Sequence, residues 1–105
     1  MVEVQELTEN NFEEFIQEGV VLIDFYADWC MPCLTMSPIV EEIGEKLKDK
    51  IKVGKVDVGE NRHIAERFGV SSIPNFIVFN EGEKKDQFTG SMTSEELEEK
   101  IKSNL

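Results

Sequence analysis

The sequence predicts an α/β fold: a central mixed five-stranded sheet flanked by four helices, with residues 1–105 forming one domain. Three observations point there. Residues 20–26, Val-Val-Leu-Ile-Asp-Phe-Tyr, make a nearly unbroken apolar run, the mark of a strand covered on both faces in the middle of a sheet. Met36, Ile39, Val40, Ile43 and Leu47 recur at steps of three and four, which describes a long amphipathic helix. Strand-like and helix-like segments alternate as βαβαβα before a closing hairpin and helix, the order of a sheet layered between helices.

Residues 2–7 alternate weakly between apolar and polar and are expected to open the sheet. Thr8 precedes Asn11, Phe12, Phe15 and Ile16, whose apolar members fall at helical spacing, and Gly19 ends that helix. Residues 20–26 follow as the central strand. The long helix comes after a pair of cysteines and is expected to run to about Asp49. Pro38 lies inside it, lacking one backbone donor and crowding the carbonyl four residues back, so a kink is expected near Thr35. Residues 51–58 read as the next strand, Asn61 as the cap of a short helix through Phe68, and Gly69 as its end. Phe76, Ile77, Val78 and Phe79 form a short buried strand, Glu81-Gly82 a turn, and residues 84–89 a more polar strand, together a hairpin. Thr93 with Glu96 three residues on is a capping box. Met92 and Leu97 stand where a hydrophobic staple would place them, and Leu97, Ile101 and Leu105 give the last helix one apolar face.

A chain of 105 residues can bury a core without disulfides or metals to hold it together. Eleven basic residues against 22 acidic ones give a net charge of -11, which repels phosphate backbones and anionic membrane surfaces and argues against nucleic-acid or membrane binding. The same acidity reads either as a solvated surface or as steering toward a basic partner. The N-terminal residues lack a basic segment followed by an apolar one, and no run of about 18 apolar residues occurs, so a cytoplasmic protein is expected. Two cysteines two residues apart are not the framework of a stapled secreted domain, which fits a reducing compartment.

The chemistry centres on Trp29-Cys30-Met31-Pro32-Cys33. Cys30 falls between a central strand and the start of a long helix, where unpaired N–H groups and the helix dipole favour a thiolate. Because the thiolate is the nucleophile of thiol-disulfide exchange, Cys30 is expected to attack a substrate disulfide. Cys33, one turn further in and expected to be less exposed, would then resolve the mixed disulfide, leaving Cys30 and Cys33 oxidised. Pro32 suits a first helical turn. A purely structural disulfide across so short a loop would restrict the unfolded chain very little. A zinc site needs four ligands, and the chain adds only His63, which is assigned no role, so no metal is expected.

The stretch Val21-Leu22-Ile23-Asp24-Phe25-Tyr26-Ala27-Asp28-Trp29-Cys30-Met31-Pro32-Cys33, with Pro38 later and Ile73-Pro74 further on, resembles the thioredoxin family, and element order and length match over the whole chain. The resemblance implies the thioredoxin fold and a protein-disulfide reductase that uses the redox-active disulfide Cys30-Cys33 and no other cofactor. It implies protein disulfides as substrates, a thioredoxin reductase as recharging partner, and a monomer. Asp24 interrupts an apolar strand. Read alone it is either a partly exposed polar residue or a buried carboxyl with a raised pKa. The resemblance places it beneath the cysteines, assisting proton transfer. It makes the Ile73-Pro74 bond cis, with Pro74 facing the cysteines and Ile73 offering backbone groups to an extended substrate. Trp29 is either a core aromatic or, by resemblance, part of the surface that substrates touch, along with Met31, Pro32 and Gly90. Lys55 is either a solvated strand residue or, as in the family, a modulator near the buried Asp.

The sequence also departs from the family. Met31-Pro32 stands where Gly-Pro is commonest, Leu34 where a basic residue is frequent, Asn75 where threonine is usual, and Tyr26 in place of a frequent tryptophan. These changes bear on redox poise and reductase choice. A disulfide-forming oxidase or isomerase on the same fold is the second reading, against which the lack of a signal peptide counts. A binding subunit with incidental cysteines is the third. The complete set of Asp24, Cys30-Met31-Pro32-Cys33 and Ile73-Pro74 counts against it.

Overall fold

The computed structural model describes residues 4–105. Five strands and four helices follow in the order β1 (Gln5–Leu7), α1 (Phe12–Ile16), β2 (Val20–Tyr26), α2 (Met31–Lys46), β3 (Ile51–Asp57), α3 (Arg62–Arg67), β4 (Asn75–Asn80), β5 (Glu83–Thr89) and α4 (Ser94–Lys102). Strand order in the sheet is β1-β3-β2-β4-β5. β1 and β2 run parallel to β3, while β4 is antiparallel to both β2 and β5. The expected mixed five-stranded sheet with four helices is therefore present. Of the opening strand expected over residues 2–7, Val2 and Glu3 lie outside the described residues.

β2 is central, and its side chains divide between two cores because successive residues of a strand point to opposite faces. Leu22 packs with Met36, Val40 and Ile43 of α2, Phe76 and Val78 of β4, and Leu97 and Ile101 of α4. Val21, Ile23 and Phe25 pack on the other face with Phe12 and Ile16 of α1 and Ile64 of α3. This explains the unbroken apolar run.

Three expectations need correction. Asn61 does not cap α3 with its side chain. Its Oδ1 accepts from the Glu9 N–H at 3.2 Å and its Nδ2 donates to the Asp57 carbonyl at 3.1 Å, so the buried amide ties two loops together. Leu105 lies past the end of α4 and is exposed, leaving Leu97 and Ile101 as the buried face. α2 ends at Lys46, three residues early, and Leu47 is its cap. Helical structure runs on through Pro38, with Thr35 Oγ1 donating to the Met31 carbonyl at 3.2 Å.

The end of the chain follows its local signals closely. Thr93 accepts from the Glu96 N–H at 3.1 Å while the Glu96 carboxylate accepts from the Thr93 N–H at 2.9 Å, completing the capping box. Met92 packs against the core that holds Leu97, as a staple would. The β4–β5 turn places Glu81 at φ 53° and Gly82 at φ 84°, the paired positive φ that a tight two-residue hairpin requires.

Candidate active site

β2 ends at Tyr26, and the chain turns through Ala27, Asp28 and Trp29 before α2 begins. The Cys30 N–H donates to the Ala27 carbonyl at 3.1 Å, which tightens that turn. Cys30 is the N-cap of α2 with extended backbone, φ -90° and ψ 105°, and its Sγ accepts from the Cys33 N–H at 3.2 Å. Pro32 stands in the first turn, where its missing donor removes no helical bond. The sulfur of Cys30 thus occupies the place of a capping oxygen, at the positive end of the helix dipole.

Cys30 and Cys33 are joined as a disulfide, with Cα atoms 5.2 Å apart. The expectation that Cys33 is the less exposed is not met in this state. Each cysteine is 4% exposed, in a cluster with Ala27 against which Tyr26, Val58 and Ile73 pack. Their difference lies in hydrogen bonding: the donated helix N–H reaches Cys30, the residue expected to be nucleophilic.

The Ile73-Pro74 bond is cis and the segment lies against the cysteines, with the Ile73 carbonyl oxygen 4.0 Å from Cys30 Sγ. The Pro74 carbonyl in turn accepts from the Gly90 N–H at 2.9 Å, and Gly90 has φ +92°, so Gly90 joins the Ile73-Pro74 segment at one border of the site. Trp29 is 78% exposed, Met31 70% and Leu34 51%, which rules out Trp29 as a core aromatic and makes an apolar rim around nearly buried sulfurs.

Asp24 is buried, which removes the reading of it as a partly exposed strand residue. Its neighbours in register are Lys55 on β3 and Phe76 on β4. Burial pushes its pKa from 3.8 to about 7; the Lys55 charge works against that rise and the Glu6 charge adds to it. Asp24 Oδ1 has no hydrogen-bond partner among the described residues. Lys55 is partly exposed and in register beside Asp24, while its ammonium lies 3.8 Å from Glu6.

Two sets of residues here are not legible in the motif. Asn75, immediately after Pro74, is buried and its Oδ1 accepts from Gln87 Nε2 at 3.1 Å, while the same nitrogen donates to the Phe68 carbonyl at 3.1 Å. This bridge ties the start of β4 to β5 and to the end of α3. Glu6 and Tyr26 form the second set: the Tyr26 hydroxyl donates to both Glu6 carboxylate oxygens, at 2.7 and 2.8 Å. The signal that could have found Glu6 is its register with Lys55, which appears only once β1 is paired with β3.

Among the described residues no group of three or more His, Cys, Asp or Glu side chains could hold a metal ion, and no helix is long and apolar enough to cross a membrane.

Comparison with known proteins agrees with this geometry. The thioredoxin family model matches residues 3–103. The chain is 40% identical over 98 residues to the thioredoxin of Bacillus subtilis (strain 168), covering 93% of this chain and 94% of that protein. It is 39% identical over 106 residues to thioredoxin Y1, chloroplastic, of Arabidopsis thaliana, and there it spans 62% of the relative's length. Among solved structures, a mutant thioredoxin from Halobacterium salinarum NRC-1 matches with TM-score 0.89 and 33% identity, covering 96% of this chain and 89% of that one.

Proposed function

This chain belongs to the thioredoxin family, and we propose that it is a general dithiol reductant of protein disulfides that works as a single domain. The observation that carries this reading is the cysteine pair seated at the start of α2 and bordered by the cis Ile73-Pro74 segment.

In the reduced protein the Cys30 thiolate attacks one sulfur of a substrate disulfide. A Cys30-substrate disulfide forms and the first substrate thiolate leaves. Cys33 gives its proton to the Asp24 carboxylate and attacks Cys30 Sγ, forming the Cys30-Cys33 bond and expelling the second substrate thiolate. Two electrons pass to the substrate, and each of its sulfurs takes a proton. A carboxyl with a pKa of about 7 both accepts and returns a proton near neutrality, which suits Asp24 to this step. Lys55 modulates it by charge.

The surface around the sulfurs fits an extended peptide. Ile73 offers its backbone as an added strand would, Pro74 and Gly90 shape the floor, and Trp29, Met31 and Pro32 supply apolar contact. The disulfide is the protein's redox group, no other cofactor takes part, and a thioredoxin reductase returns it to the dithiol. We assign the protein to the cytoplasm, where it serves electron transport as a monomer.

The test is equilibration with glutathione redox buffers. A potential near about -270 mV supports the reductant, whereas one near about -120 mV identifies a disulfide-forming oxidase. In the same preparation, a Cys30→Ser variant that still reduces substrate disulfides at the parent rate would show the nucleophile to be misassigned.

A further inference from the structure

One row of residues crosses the sheet on the face that carries Asp24. Glu6 on β1 is in register with Lys55 on β3, Lys55 with Asp24 on β2, Asp24 with Phe76 on β4, and Phe76 with Phe88 on β5. The row alternates carboxylate, ammonium, carboxyl, and then becomes aromatic, with the Phe76 and Phe88 rings stacked at 5.7 Å. Lys55 therefore stands between two acids, one exposed and one buried. Among the described residues it pairs with the outer one, Glu6, at 3.8 Å, and Asp24 Oδ1 remains without a hydrogen-bond partner.

Tyr26 accounts for this choice. Two residues beyond Asp24 on the same strand, and so on the same face, it holds both oxygens of Glu6 through its hydroxyl. The Lys55 ammonium also lies over the Tyr26 ring, 5.5 Å from its centroid. Carboxylate and ring together draw the flexible lysine toward the sheet edge. Tyr26 itself packs against the cluster that contains Cys30 and Cys33, so the arrangement lies between the sheet edge and the sulfurs.

We propose that Glu6 and Tyr26 are positioning residues that clamp Lys55 toward the sheet edge, away from Asp24, and so keep Asp24 able to carry the proton released by Cys33. The proposal rests on the reading of Asp24 as the proton carrier. The groups that face Asp24 are few: Glu6 from β1, Lys55 from β3 and Tyr26 from its own strand, with apolar Phe76 from β4. Cys33 lies on α2 and Cys30 at its N-cap, in the cluster against which Tyr26 packs, and Asp28 and Asp57 act on Tyr26. The Glu6 charge raises the pKa of Asp24 and the Lys55 charge lowers it, the signs the clamp requires.

The experiment follows the Asp24 side-chain carboxyl carbon by NMR between pH 4 and 9 in the oxidised protein, where the cysteines do not titrate. Glu6→Gln is expected to lower the Asp24 midpoint by roughly 0.5 to 1 unit as Lys55 turns inward, and Tyr26→Phe to lower it by less. Combined with Lys55→Met, Glu6→Gln is expected to produce less than half of that drop. An unchanged midpoint in Glu6→Gln overturns the clamp. So does an equal drop with and without Lys55, which would mean that Glu6 acts by its own charge alone. The pH profile of mixed-disulfide resolution, read on the same variants, separates the clamp from the proton carrier. A profile that moves with the Asp24 midpoint supports both. A profile that stays fixed while the midpoint moves leaves the clamp standing and removes Asp24 as the proton carrier.

Discussion

Replacing Asp24 with asparagine keeps the shape of the side chain and removes its charge, so the stability difference between variant and parent isolates the cost of ionising a buried carboxyl. Asp24 titrates at about 7 in the folded protein against 3.8 when solvated. A raised acid pKa means that the folded state binds the proton more tightly than the unfolded one. The contribution from Asp24 is thus fully present below about pH 3.8, falls as pH rises, and reaches its floor above pH 7. Each pKa unit is worth about 1.4 kcal/mol, so the parent loses about 4 kcal/mol across that window while Asp24→Asn loses none of it. Equilibrium urea unfolding of both oxidised proteins at intervals from pH 4 to 8.5 checks this. The variant is expected to gain on the parent by about 1 kcal/mol per pH unit, levelling above pH 7, whatever constant offset the buried amide introduces. A difference that stays flat from pH 5 to 8 would refute the reasoning, because it would mean that Asp24 ionises in the fold as easily as in water.

Gly54 sits on β3 where a Cβ would come within 2.6 Å of Leu7 Cδ1 and 3.0 Å of Phe15, so Gly54→Ala is expected to cost about 1–3 kcal/mol by overpacking. Denaturant midpoints measure it, and an unchanged midpoint would show that β1 and α1 give way freely. Gly90 has open space around it but φ +92°, so Gly90→Ala costs about 1–2 kcal/mol through backbone strain alone. Since its N–H holds the Pro74 carbonyl at 2.9 Å, the same variant is expected to raise KM for a protein disulfide more than it lowers kcat. A change confined to kcat would place Gly90 outside the substrate surface.

The fold was legible wherever one residue pattern admits one environment. Seven residues with a single charge among them must have both faces covered, and β2 occupies the expected span, Val20–Tyr26, at the centre of the sheet. A threonine followed by a glutamate three residues on satisfies two helix N–H groups from within the turn, so the start of α4 needed nothing distant. The misses have the opposite character. Asn61 stands where a cap is expected, but its oxygen is taken by Glu9, whose position near α3 depends on the whole sheet. Leu105 keeps the spacing of Ile101, yet the helix stops before it, and Asn104 Nδ2 instead bonds the Lys100 carbonyl at 2.9 Å and Asp86 at 3.2 Å. Local pattern proposes a role for such side chains, and a partner far along the chain decides it.

The site divides along the same line. Cys30 could be placed at a helix start from the strand before it and Pro32 after it, since those signals are adjacent in the chain. The cis geometry at Pro74 was legible only through the family resemblance, because only about 5% of X-Pro bonds in folded proteins are cis. Glu6 was not legible at all: in a short strand it reads as a solvated edge residue, and its relation to Asp24 exists only through Lys55 between them. This separation has a physical consequence. Met31 and Leu34 are exposed at the apolar rim, whereas Glu6, Tyr26 and Lys55 contact one another at the β1 edge of the face that carries Asp24. On the proposed reading, substitutions at the rim are expected to change which proteins dock. Substitutions in the Glu6, Tyr26 and Lys55 row are expected instead to change the pH at which the docked disulfide is resolved, which would assign partner choice and proton handling to different residues of one small domain.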